Sequence, residues 1–75
     1  MDMVNLTCLE CFIQEMLLED HAVRLVIKLT ERGTFSAAIY DEGLILLDRN
    51  GDKTLYAEHE SIAECLRRLD DMLAE

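Results

Sequence analysis

Proline is absent, glycine occurs only three times, and basic side chains are scarce, seven against sixteen acids in 75 residues. Without proline, low-complexity tracts or an internal repeat, nothing marks a linker, so residues 1–75 are expected to form one domain. No stretch reaches the roughly 20 apolar residues of a membrane span, so a soluble protein with no membrane partner is expected. The scarcity of lysine and arginine leaves a net charge of −9 and disfavours direct binding of nucleic acid, whose phosphates need clustered cations. A protein with a basic surface is the natural electrostatic partner, although acidity of this size also serves solubility alone. Three cysteines, Cys8, Cys11 and Cys65, are an odd number behind a short apolar start that lacks a basic leader. Reduced thiols and a cytoplasmic location are expected.

What the chain does have is strong periodicity. Leu9, Phe12, Ile13, Met16 and Leu17 recur at helical spacing, predicting a helix of about three turns that ends near Asp20-His21. Thr7-Cys8-Leu9-Glu10 fits a capping box at its start. Asp2, Glu10, Glu15, Glu19 and Asp20 put five acids and no base into the first twenty residues. From Ala22 to Thr30 the period drops to two. Val23, Leu25, Ile27 and Leu29 share one face and Arg24, Val26, Lys28 and Thr30 the other, the pattern of a half-buried antiparallel strand. Phe35, Ala37 and Ile39 repeat that alternation after the turn Glu31-Arg32-Gly33, and Asp41-Glu42-Gly43 is expected to form a bulged three-residue turn.

Next come Leu44-Ile45-Leu46-Leu47 and Thr54-Leu55-Tyr56, joined across Asn50-Gly51. The Asn-Gly pair predicts a hairpin with a type I′ turn. A strand with one solvated face does not need four consecutive apolar residues. Either its second face meets a partner, or a bulge turns both faces onto one core. Finally, Ser61-Ile62-Ala63-Glu64 is a second capping box, followed by Ile62, Cys65, Leu66, Leu69, Met72 and Leu73 on one stripe and by a Glu64–Arg68 surface pair. The fold class is therefore α+β: an N-terminal helix, a four-stranded antiparallel meander and a C-terminal helix, with both helices on one sheet face in a two-layer sandwich. Val26, Ala38, Tyr40 and Tyr56 fall on the opposite face, where a second copy would form a homodimer.

No cluster names a reaction. Cys8-Leu9-Glu10-Cys11 has the spacing of a redox pair or half a zinc site, but no strand precedes it and His21, His59 and Cys65 supply no second close pair. Packing thiols are expected, with no metal and no cofactor; a zinc or thiol switch is the third functional reading. His21 and His59 lack a nucleophile at suggestive spacing, so no catalytic residue is assigned and the chain is not expected to be an enzyme. Asp48-Arg49-Asn50-Gly51-Asp52 opens like a calcium loop but lacks the distal glutamate and reads as a turn. The unusual feature is a run of six acids, Asp41, Glu42, Asp48, Asp52, Glu58 and Glu60, placed at turns and strand ends. Carboxylates spaced on a small sheet can stand where phosphates lie in a nucleic-acid groove, in the manner of a DNA mimic.

The layout resembles the small acidic anti-CRISPR proteins of phages and related mobile elements. The likeness lies in the acidic first helix, the Asn50-Gly51 hairpin flanked by Asp48 and Asp52, and the entry Glu58-His59-Glu60-Ser61-Ile62 to the last helix. The resemblance implies a non-enzymatic inhibitor, in the cytoplasm of a bacterial host, that occupies a nucleic-acid-binding or docking surface of a CRISPR effector. The six acids would be its partner-binding residues. The rival reading is a small homodimeric structural or regulatory module that uses the far sheet face.

Overall fold

Two helices flank four strands in the order the periodicity predicts: α1 (Thr7–Leu18), β1 (Val23–Leu29), β2 (Phe35–Asp41), β3 (Leu44–Ile45), β4 (Tyr56–His59) and α2 (Ile62–Leu73). The structure, a computed structural model, describes residues 5–74. Asp2 lies outside the described residues. The fold is α+β, with a wholly antiparallel sheet. Leu9 of α1 and Cys65, Leu69 and Leu73 of α2 close over Ala37, Ile39, Leu55 and Ala57 to form the core. Both helices thus lie on one face, in two layers.

The sheet is organised on β2. β1 pairs along its whole length on one side, while β3 and β4 share the other side, β3 against Tyr40–Asp41 and β4 against Phe35–Ala38. The fourth strand therefore pairs with β2 and not with β3, so the sheet departs from the sequential meander expected, although it is four-stranded and antiparallel as predicted. Between β3 and β4 the chain leaves the sheet at Ile39, whose carbonyl accepts from Leu46 N and whose N–H donates to Leu55 O. Leu55 N–H donates to Leu46 O at 2.7 Å, Leu47 bridges Thr54, and Asp48 N–H donates to Lys53 O, so the expected hairpin exists as a projection from the sheet. This divides the run Leu44–Leu47. Leu46 packs against the core while Leu44 and Leu47 stay exposed.

The turn types differ from expectation in an instructive way. Glu42 and Gly43 take successive positive φ angles of 51° and 87°, with Asp41 paired to Leu44, which is a two-residue type I′ turn and not a bulged three-residue one. In the hairpin only Gly51 has positive φ, and Asn50 does not. Its loop is instead built on Asp48, whose Oδ1 accepts from Asn50 N (3.1 Å) and Asp52 N (3.0 Å) while its carbonyl accepts from Gly51 N. An aspartate that bonds the backbone two residues on offers the loop a turn of its own, and this side chain overrides the Asn-Gly preference.

Helix ends follow a similar pattern. α1 stops in a Schellman arrangement, with Asp20 at φ 67° and His21 N–H donating to Met16 O. Its start is not capped by Thr7. Asn5 Oδ1 accepts from Thr7 N, and the Leu9 N–H donates to Oδ1 of Asp70, 61 residues away on α2, at 2.7 Å. At α2 the Ser61 hydroxyl accepts from Glu64 N as expected, but the reciprocal place is taken by His59, whose Nδ1 accepts from Ser61 N. Glu64 is free to pair with Arg67, where the sequence suggested Arg68. Replacement of Ser61 by alanine is expected to cost about 1 kcal/mol, read as a shift in urea midpoint at constant slope.

Candidate functional site

Six acids were singled out from sequence, and the structure distributes them over three places. Asp41 and Glu42 stand at the β2–β3 turn, Asp48 and Asp52 at the hairpin loop, and Glu58 and Glu60 on or just after β4, at the opposite end of β2. Each pair is brought together; the three pairs do not merge into one patch. Half of these acids have internal partners. Asp41 Oδ2 lies 2.9 Å from His21 Nδ1, which ties the exit from α1 to the end of β2. Asp48 holds its loop. Glu58 accepts from the Thr34 hydroxyl at 2.6 Å and from the Tyr56 hydroxyl at 3.2 Å, with Arg32 at 3.8 Å.

These bonds act on charge as well as on position. Backbone donation, led by Asp52 N–H, holds the Asp48 carboxyl below the usual carboxylate range. The Thr34 hydroxyl, helped by Tyr56 and Arg32, does the same for Glu58. Both are surface groups, fixed in place and ionised at neutral pH. Glu42, Asp52 and Glu60 are exposed.

The far sheet face is less open than alternation suggested. Ala38 and Ser36 are buried there and Val26 and Tyr40 half-buried, leaving Tyr56 the exposed member of the expected dimer face. Arg24 and Lys28 line a shallow groove on it with Val26, Tyr40 and Gly43. The small residues of the central strand are thus already shielded from water on this face.

The opening lies elsewhere, on the helix side of β1. Val23 is half-buried, but exposure climbs along the strand through Leu25 (38%) and Ile27 (42%) to Leu29 (70%). The residues expected in the core are thus left uncovered. The cause is the placement of α1, drawn away from β1 by its contacts with α2 and the hairpin. Besides the Asp70 bond, the Arg49 guanidinium of the hairpin lies 6.0 Å from the Phe12 ring centroid and donates from Nε to Leu73 O at the end of α2. α2 has no basic residue in its own last turn, so Arg49 supplies the cation its C-terminus lacks.

Comparison with protein-family models, curated proteins and solved structures finds no match. The geometry must therefore carry the functional reading. Cys8 packs against the core, Cys11 is exposed, and buried Cys65 donates its thiol to Phe35 O at 3.2 Å, fastening α2 to β2. Among the described residues no three His, Cys, Asp or Glu side chains converge as metal ligands, and no helix is long and apolar enough to cross a membrane. The surface residues that sequence reasoning missed are Leu25, Ile27 and Leu29. Their alternation signalled a face to be buried, but not whether this chain's own helices would reach it.

Proposed function

We propose that this protein acts without catalysis, by occupying a basic surface of another protein, and that its partner handles nucleic acid, a CRISPR effector in the reading that the resemblance to anti-CRISPR proteins implies. The observation that carries this reading is the rigid presentation of charge: Asp48 and Glu58 are surface carboxylates locked by two hydrogen bonds each and held ionised. Charges already ordered before encounter lose little side-chain entropy on binding. Glu42, Asp52 and Glu60 stand beside Asp41, Asp48 and Glu58 and are exposed, so each of the three sites offers a carboxylate to a cationic partner.

The test uses a guide-loaded CRISPR effector complex as probe. Binding is expected to weaken as salt rises, since interactions between exposed charges are screened over a Debye length of about 10 Å at 0.1 M salt. A variant carrying Glu42→Gln, Asp52→Asn and Glu60→Gln, which spares the hydrogen-bonded acids, is expected to bind about tenfold less tightly at low salt. Affinity indifferent to both salt and these changes sinks the electrostatic reading.

A further inference from the structure

The exposed side chains of β1 coincide with its unpaired backbone. Ile39 spends both of its backbone groups on Leu46 and Leu55, away from β1. Backbone groups alternate in direction along a strand, so on β2 Ser36, Ala38 and Tyr40 face β1 and bond Lys28, Val26 and Arg24. Thr30 N–H donating to Thr34 O at 2.8 Å continues the series. The N–H and C=O groups of Leu25, Ile27 and Leu29 therefore point away from β2, and no strand among the described residues lies on that side. An edge of this kind, with an apolar row beside its free amides, is a template for another strand.

We infer that β1 is a self-association edge, pairing antiparallel with β1 of a second copy about a two-fold axis at Ile27, so that the two sheets become one. This does not depend on the partner proposed above. Self-complementarity identifies the occupant. In that register Ile27 meets its own counterpart and Leu25 meets Leu29, and every such pair uses the outward groups, exchanging two hydrogen bonds. On the other face Lys28 falls opposite Val26, and Arg24 opposite Thr30. Neighbouring registers fail on charge: an axis at Val26 sets Arg24 against Lys28, and one at Lys28 sets that lysine against itself. Electrostatics and apolar matching thus select the same alignment. Edge pairing of two seven-residue strands is a narrow contact, of the size class of weak, transient interfaces. Two copies of net charge −9 repel at long range. Salt should therefore tighten this contact, the reverse of its effect on a basic partner.

Sedimentation of the full chain and residue-resolved amide exchange test the edge together. A dimer is expected at high micromolar concentration, strengthening with added salt, with exchange at Leu25, Ile27 and Leu29 slowing as concentration rises. Ile27→Lys and, separately, Leu29→Lys should leave a folded monomer, because both side chains are exposed in the single chain. Leu44→Lys, on the opposite side of β2, should still dimerise. A chain that stays monomeric at all concentrations overturns the inference. So does a dimer in which those three amides exchange as fast as in the monomer, or one unaffected by Leu29→Lys. Should Ile27→Lys fail to fold, Leu29→Lys and the exchange data on the unaltered chain carry the test.

Discussion

Leu55→Ala is expected to lower the melting temperature by about 12–24 °C, whereas Leu44→Ala, eleven positions earlier in the same hairpin segment, should shift it by only a few degrees. The contrast follows from burial. Leu55 is fully buried among the core residues of both helices and the sheet, while Leu44 is 75% exposed. Truncating a buried leucine removes its transfer free energy and leaves a cavity, together about 2–5 kcal/mol. A 75-residue chain has about 4–11 kcal/mol at about 0.05–0.15 kcal/mol per residue. A loss of about 3 kcal/mol is thus a large share of the total, and each kcal/mol moves Tm by about 4–8 °C in so small a domain. Equal melting temperatures for the two variants would mean that the core is not centred where the hairpin rejoins the sheet.

Asp70→Ala is the second large effect expected, about 2 kcal/mol. Asp70 is a buried polar residue among the apolar positions of α2, and its Oδ1 is the partner of the Leu9 N–H, itself on a buried residue. Helix starts leave backbone donors without partners, and one stranded away from water costs about 1–3 kcal/mol. Asp70→Asn keeps a carbonyl oxygen at the site and should recover much of the loss. Urea denaturation of the two variants reads the difference, and amide exchange in the first turn of α1 should accelerate in Asp70→Ala beyond its global destabilisation. If alanine is as stable as asparagine, α1 does not rely on this cap.

Asp70 also shows where sequence reasoning loses sight of a structure. It interrupts the stripe Cys65, Leu66, Leu69, Met72 and Leu73 as an ordinary polar neighbour, and nothing nearby in the chain signals that its side chain will be buried. The same holds for Arg49, which in sequence belongs to a turn and in the fold serves both Phe12 and the end of α2. The acids of the proposed binding surface were legible as residues, but their grouping into three separated pairs was not. That grouping follows from β4 lying beside β2 at the end opposite β3.

Periodicity, turn residues and the Ser61 cap determined the elements, their order and the antiparallel sheet, because each rests on contacts between residues close along the chain. Only the tertiary structure decided that the apolar face of β1 would go largely uncovered. That outcome depends on where α1 comes to rest, and α1 is held by partners as far as 61 positions away. Leu25, Ile27 and Leu29 carry the alternation of core residues, yet they remain open to water because burial is a property of what packs opposite, and a strand does not encode its own cover.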